Sequence, residues 1–495
     1  MRQFLRQYAT YSIGIALNRV AVLLLLPLYT RYLTPADYGV LDILMTFVAL
    51  LQPLLIVGID TAVQILYYDA RTIANRSQNN LVITGVALVA ACAGTIALLG
   101  ILGASLVATL LFGSDLYVFQ LQLLCIDTFI MCLFKLFHDN LRLREQPVLY
   151  SLLPLIQLII MTVLNVYFIV VQGLGVIGYV WGLLIADATV MLLAGVLVLP
   201  RYRSGKPSHE HLGALLRIGL PLLPVSLAYW VLNLSDRFFL IRLAAAETVG
   251  VYGIAYRLAT AISIFTLAMQ IGWRPFALRA QHLPNSRATY ALMPIYYFAV
   301  VGWIGLLVAE LSPVLLRLFT SPAYFGAAEL LTPLLLTQVV YGGYFILSTG
   351  IEITKRTYHI TWIIILAAGV NVFFNVLLIP SLAAFGASLA TAGSYLVAAF
   401  IVAIVSQSVY PLPYDKQRMT FVCIILLISY AGMTLNFRIG LTMQPLIGLL
   451  ILVVSFMLLG WLLRQELHQA VEYLRSHLQN SKDANRDESS VAVIK

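Results

Sequence analysis

Charge is scarce in this chain. Asp, Glu, Lys and Arg together make up 10% of its 495 residues, against 61% hydrophobic. A soluble domain carries about 25% charged residues, so an ordinary soluble fold is excluded. Short alternating strands are also missing. The apolar runs last about 20 residues or more, where barrel strands would be about 9–11, so the chain reads as an all-α polytopic membrane protein. The four cysteines, Cys92, Cys125, Cys132 and Cys423, all fall in apolar runs. Cys125 and Cys132 lie two turns apart on one helix, too far for a disulfide, and inert buried thiols are expected. There is no Gly-Lys-Ser/Thr nucleotide loop, no metal-ligand cluster and no Asp-x-Asp. That excludes a single-chain ATP-driven pump and argues against catalysis, with no cofactor or metal expected.

Fourteen apolar runs are present, at approximately 11–33, 39–67, 81–112, 116–138, 147–171, 175–199, 212–243, 249–272, 290–312, 327–350, 358–379, 384–409, 419–437 and 441–463. The first is too long, and too poor in a small-residue cleavage site, for a secretion signal; it reads as a first helix. Of the 30 Lys and Arg, only Arg31, Arg242, Arg317 and Arg438 fall at the connections of one side, and Arg19, Arg237 and Arg257 lie deep within helices. The rest crowd the opposite connections and tails, which places both termini in the cytoplasm. The net charge of +9 is therefore explained by short loops facing anionic lipid rather than by nucleic acid. The longest connection on the outer side, about 313–326, is short for a membrane glycan polymerase or ligase.

The chain repeats itself. Arg31-Tyr-Leu-Thr-Pro-Ala-Asp-Tyr-Gly39-Val40 recurs 211 residues later as Arg242-Leu-Ala-Ala-Ala-Glu-Thr-Val-Gly250-Val251. Downstream, Arg142 and Arg144, Tyr150, Asn165 and Gly178 are answered by Lys355 and Arg356, Tyr358, Asn375 and Gly386. An even number of spans per copy puts the symmetry axis along the membrane normal. The expected organisation is an N-lobe at 1–199 (helices 1–6), a cytoplasmic linker at 200–211 and a C-lobe at 212–409 (helices 7–12). Two closing helices follow at 419–463, then a cytoplasmic tail at 465–495, amphipathic to Leu478 and disordered beyond.

An ionisable side chain at mid-bilayer costs about 2.5–3.5 kcal/mol on insertion scales, so each one invites a reason. Arg19 lies within helix one, Asp236-Arg237 within helix seven and Arg257 within helix eight. Arginine keeps its charge and bonds phosphate oxygens through a planar fork, so Arg19, Arg257 and Arg237 are candidates for a cationic lumen that holds an anionic headgroup. The plainer alternatives are that Arg19 snorkels to the cytoplasm and that Arg257 neutralises Asp236. Asp60, Asp127 and Asp187 are candidates for coupling to a proton or sodium gradient; Asp127 and Lys135, eight apart, share a helix face and could instead pair. Asp42 and Glu310, near the outer ends of their helices, are expected to be interfacial. Pro27, Pro53, Pro154, Pro221, Pro224 and Pro294 are expected kink sites.

Two segments, Leu-Pro-Leu-Tyr-Thr-Arg-Tyr-Leu-Thr-Pro-Ala-Asp-Tyr-Gly-Val (26–40) and Ser-Asp-Arg-Phe-Phe-Leu…Gly-Val-Tyr-Gly-Ile-Ala-Tyr-Arg-Leu (235–258), resemble the Wzx-type polysaccharide flippases. These belong to the superfamily of multidrug and toxin extrusion antiporters and lipid II flippases. The resemblance implies two lobes around a V-shaped cavity. It further implies movement of undecaprenyl-diphosphate-linked oligosaccharide across the bacterial inner membrane for O-antigen, capsule or exopolysaccharide synthesis, beside a polymerase and a chain-length regulator. Lipid II flippases use arginines on helices one, two and eight. Arg19 and Arg257 fit the first and third, but the second run carries no Arg or Lys between 40 and 66. The competing readings are a drug or cation antiporter of the same fold, which three mid-helix arginines disfavour, and a glycan polymerase or ligase.

Overall fold

The computed structural model describes residues 25–67, 75–281, 286–439 and 444–464. They form α1 (Leu26–Tyr32), α2 (Pro35–Ile56), α3 (Ile59–Tyr67), α4 (Asn75–Leu102), α5 (Ala104–Phe112), α6 (Val118–Leu143), α7 (Pro147–Asn165) and α8 (Gly175–Val198). The second half holds α9 (His209–Gly219), α10 (Leu223–Leu234), α11 (Asp236–Leu243), α12 (Ala246–Thr260), α13 (Ser263–Ala280) and α14 (Ser286–Glu310). It closes with α15 (Ser312–Phe319), α16 (Ala328–Leu347), α17 (Thr349–Ile353), α18 (Tyr358–Val409), α19 (Lys416–Ile439) and α20 (Gln444–Leu462). No strand occurs among the described residues.

Eleven of these helices or helix columns are long and apolar enough to cross a membrane, or twelve with α12 and α13 taken as one span bent by 45°. The chain is a multi-pass membrane protein. The fourteen expected runs map onto this set with two differences. Most of run 11–33, with Arg19, lies outside the described residues. Runs 358–379 and 384–409 belong to one 52-residue element, α18, broken at Ala383, whose φ of 48° is non-helical. The expected tail helix at 465–478 also falls outside the described residues.

Buried apolar side chains fall into two clusters. One is built from the first half together with Leu215 of α9, from Val40 to Leu215. The other centres on the second half but takes in Tyr29, Leu33, Tyr38, Leu41 and Tyr179. The α1–α2 corner of the first half is therefore packed into the core of the second.

Local chemistry explains the corner. Thr34 accepts from the backbone N–H of Asp37 at 3.1 Å, and Asp37 Oδ2 accepts from the backbone N–H of Thr34 at 3.2 Å. This is a capping box with Pro35 in the first turn, which fixes the start of α2. The equivalent start of α12, at Ala245, has no side-chain cap. Elsewhere the repeat is conformational. Glu145 (φ 56°) and Lys355 (φ 58°) occupy the same left-handed position after α6 and α17, each closing the preceding turn with a pair of backbone hydrogen bonds. The structure thus matches Lys355 with Glu145 rather than with the arginine pair Arg142 and Arg144.

Proline explains only some of the breaks. Pro53, Pro154 and Pro294 lie inside continuous helices, and Pro221 and Pro224 mark the α9–α10 break. The α10–α11 and α12–α13 breaks contain no proline.

Candidate functional site

The two copies of the repeat meet each other. A Cβ on Gly39 would collide with the carbonyl oxygen of Ala246, and one on Gly250 with that of Pro35. Pro35 and Ala246 are themselves mates at the same 211-residue spacing as Gly39 and Gly250, so α2 and α12 cross at a pseudo-twofold point where only glycine allows the backbones to touch. Further bonds close this charge-poor end. Tyr324 donates to the Leu33 carbonyl at 3.0 Å and Thr30 to the Phe319 carbonyl at 3.3 Å. Arg242 donates to the carbonyls of Thr109 and Leu110 at the end of α5, where a cation suits the exposed carbonyls. Deeper in, Trp230 Nε1 donates to the Thr46 carbonyl at 3.1 Å. Replacing Gly250 by leucine should force α2 and α12 apart and open this end. Maleimide labelling of a cysteine introduced at Leu41 should then rise in membranes, and unchanged labelling would contradict the crossing.

Beneath the crossing sits Arg237, only 2% exposed. Its Nε lies 2.9 Å from Asp42 Oδ2, and a terminal nitrogen lies 2.7 Å from Asp236 Oδ1 and 3.0 Å from the Asn233 carbonyl. Tyr256 and Tyr252 hold their rings 4.4 and 5.3 Å from the guanidinium carbon. Asp236 also receives the hydroxyls of Tyr252 and Thr391. Arg237 therefore bonds two carboxylates and a carbonyl, and it pins α2 of the first half to α10 and α11 of the second. Asp42 corrects the interfacial expectation: it is 7% exposed and is the pin's partner on α2. Gly253, its mate in the second copy, leaves the room it fills, since a Cβ there would stand 2.9 Å from Asp42 Oδ2.

Arg257 has the opposite environment. It is half-buried, and its guanidinium carbon lies 5.2 Å from the ring centroid of Tyr38. Asp42 lies within its electrostatic reach, as do Tyr179 and Tyr29, which stand edge to face 5.5 Å apart. Among the described residues it makes no ion pair. The alternative in which Arg257 neutralises Asp236 is not what the structure contains; Arg237 does that. Arg19 lies outside the described residues.

The acidic candidates separate as well. Asp60 is held by Lys135 at 2.8 Å, and Lys135 also approaches Asp139 at 3.7 Å. Lys135 thus pairs across to α3 and not with Asp127, because the side chain points toward the charge-rich end of α6. Asp127 and Asp187, on α6 and α8, are each 1% exposed. Gln157 of α7 donates to Asp187 Oδ1 at 2.6 Å. The sequence reading passed over Gln157; a lone amide in an apolar helix was its only signal. Glu310 is half-buried beside Gly448, at the charge-poor end of α14.

No curated protein matches the chain in sequence. Among solved structures, a lipid II flippase, MurJ, in an inward closed conformation superposes with a TM-score of 0.70 at 13% identity, covering 92% of this chain and 99% of that one. A MATE multidrug resistance transporter in an inward-facing conformation gives 0.64 at 18% identity, covering 83% and 99%. An outward-facing MATE transporter gives 0.59 at 19% identity, covering 85% and 96%. The fold is thus that of the MATE and MurJ transporters. The model of the polysaccharide biosynthesis proteins matches residues 4–275, more than half of the sequence, and the chain belongs to that family.

Proposed function

We propose that this protein is a flippase for lipid-linked oligosaccharide. It would carry an undecaprenyl-diphosphate-linked glycan from the cytoplasmic to the outer leaflet of the bacterial inner membrane during synthesis of a surface polysaccharide such as O-antigen, capsule or exopolysaccharide. The observation that carries this reading is Arg257, a half-buried guanidinium without an ion pair among the described residues, next to a lobe contact that must open and close. An anionic diphosphate would give such a group the ion-pair partner that none of the described residues gives it, and two parallel N–H···O bonds suit its planar fork. Family membership supports the substrate class, and the MATE-like fold supports alternating access.

In this reading both termini are cytoplasmic and the charge-poor end faces outward. The glycan head is taken up from the cytoplasm between the lobes at 1–199 and 212–409 while the polyprenyl tail remains among the membrane lipids. Arg257, with Arg19, holds the diphosphate. The lobes then rock so that the Gly39–Gly250 crossing parts and the head is exposed on the outer side. A proton or sodium gradient or the membrane potential supplies the driving force; one net negative charge moving outward gains about 2.3 kcal/mol per 100 mV. A polymerase and a chain-length regulator act on the product outside. Deletion followed by lipid analysis tests the reading. A diphosphate-linked oligosaccharide should accumulate on the cytoplasmic leaflet, and a normal leaflet distribution would sink it.

A further inference from the structure

We propose that the charge-rich end of the first lobe carries a binding site for the headgroup of an anionic phospholipid, with Arg144 and Arg201 as its cationic ligands. The site stands apart from the cargo. Only its placement in the cytoplasmic leaflet rests on the orientation adopted above.

A cleft of about 670 Å³ opens here where five helix ends meet. It is lined by Tyr67 at the end of α3, Gln78 and Asn79 at the start of α4, Arg144 and Gln146 between α6 and α7, and Arg201 just after α8. Two guanidiniums and three amides supply donors, and no carboxylate lines the cleft among the described residues. Glu145, between Arg144 and Gln146, is exposed and is not part of the lining. Neither arginine makes an ion pair among the described residues.

Arg144 is oriented by the fold. Its Nε donates to the Tyr202 hydroxyl at 2.8 Å, and its guanidinium carbon lies 4.4 Å from the centre of the Tyr202 ring. Tyr202 is 1% exposed, and its hydroxyl donates in turn to Asn140 Oδ1, on a residue 2% exposed. That chain of bonds fixes one edge of the guanidinium. The terminal nitrogens have no hydrogen-bond partner among the described residues, and together they form the fork that suits two oxygens of a phosphate. Across the cleft, Arg201 donates to Gln146 Oε1 at 3.4 Å. The chain beyond it is strapped to α4, since Asn79 donates to Ser204 Oγ and the Lys206 N–H to Asn80 Oδ1, each at 2.8 Å.

The duplication separates scaffold from addition. Asn140 and Arg144 are matched by Gly350 and Thr354 at the 210-residue spacing of Glu145 and Lys355, and Tyr202 is matched by Tyr410. The second tyrosine holds the same place, since a Cβ on Gly350 would stand 3.0 Å from that of Tyr410. There the chain of bonds is gone. Thr354 turns back to the carbonyls of Gly350 and Ile351, and Tyr410 takes its cation from Arg287 at the start of α14. The turn and the tyrosine are therefore what the fold requires. The oriented arginine facing a cleft without acids belongs to the first copy alone.

The surroundings favour a lipid over a soluble anion. Ile65, one turn before Tyr67, is 55% exposed, and Val148, just after Gln146, is 66% exposed. These apolar side chains flank the cleft along the spans and offer acyl chains a surface. A headgroup phosphate level with the helix ends meets both arginines.

The test uses the full-length protein, purified in detergent and stripped of lipid. It is titrated with dioleoylphosphatidylglycerol while bound lipid is counted by native mass spectrometry. A tight adduct is expected for the wild type. Arg144→Gln/Arg201→Gln should weaken it by at least about tenfold, the loss expected for charged hydrogen bonds. The control Arg203→Gln/Arg217→Gln makes the same change in net charge away from the cleft and should keep the adduct. Arg201→Gln alone leaves the Tyr202 chain intact and should also weaken binding, so the site is testable even if the double variant misfolds. Equal binding of dioleoylphosphatidylcholine, which has the phosphodiester but no net charge, would overturn the anion site, as would equal loss in the control. Displacement by millimolar inorganic phosphate would assign a soluble anion, and displacement by equimolar undecaprenyl diphosphate a docking site for cargo; either overturns the phospholipid assignment. The adduct is measured without cargo, so a failed lipid phenotype on deletion sinks the transport reading and leaves this site standing, and the converse holds.

Discussion

Replacing Arg257 by alanine is expected to abolish transport of the lipid-linked glycan while the protein remains folded in the membrane. The physical reason is the contrast between two arginines that sit on neighbouring helices. Arg237 spends its donors on two carboxylates and a carbonyl. Arg257 touches the face of Tyr38 and is otherwise without an ion pair among the described residues. Hydrogen bonds to charged groups contribute about 1.5–3 kcal/mol each, which is roughly 10- to 150-fold in affinity. Losing a bidentate contact to a diphosphate should therefore weaken cargo binding by at least the upper part of that range. Arg257→Lys should fall between wild type and alanine, because an ammonium keeps the charge but not the fork. The measurement is the leaflet distribution of the diphosphate-linked oligosaccharide in cells whose only copy is the variant, with thermal unfolding of the purified protein as control. No loss of unfolding temperature is expected, since alanine leaves no charge stranded. A variant that transports normally would remove Arg257 from the mechanism even if the family assignment stands.

Much of this architecture is legible in the sequence, and the reasons differ by level. The long apolar runs exist because backbone polar groups in lipid must be satisfied within the helix, so composition alone yields the all-α membrane class. The repeat motif is legible because its residues do backbone work. Thr34 and Asp37 cap α2, and Gly39 and Gly250 permit a contact that any side chain would block. Such roles leave a mark on residue type. The partners of the charged groups are less legible, because they are set by packing between distant segments. Nothing in the local sequence joins Asp42 to Arg237, which are 195 positions apart. Asp127 and Lys135 share a helix face, yet Lys135 pairs with Asp60 of α3, toward the charge-rich end. One clue to Asp42 was available in the repeat itself: its mate is Gly253, a small residue where the first copy has an acid, which is how a cleft for a side chain is written in a duplicated fold.

The pin at Arg237 carries the second large effect. Substituting methionine there would leave Asp236, 1% exposed, and Asp42, 7% exposed, buried without their cation. Removing one partner from a buried ion pair costs about 3–5 kcal/mol, because the survivor remains desolvated. Here two survivors remain. Asp236 is partly relieved by the hydroxyls of Tyr252 and Thr391, whereas Asp42 would be left without any ion pair. Arg237→Met should therefore lower the unfolding temperature of the purified protein well below that of Arg257→Ala, and a variant as stable as wild type would refute the pin. Asp42→Asn separates stability from conformation. It spares the Arg237–Asp236 pair inside the second half, weakens the bond between the halves and removes an anion within electrostatic reach of Arg257. The protein should stay folded but populate more of the state open at the charge-poor end. Loss of a charged hydrogen bond of about 1.5–3 kcal/mol shifts a two-state equilibrium by roughly 10- to 150-fold. Thr46, buried beneath the Trp230 indole in the closed state, reports it: a cysteine introduced there should react with maleimide faster in the Asp42→Asn background. Equal rates in the two backgrounds would mean that the glycine crossing alone holds this end shut, and that the ion pair supports the second half without governing when the lobes part.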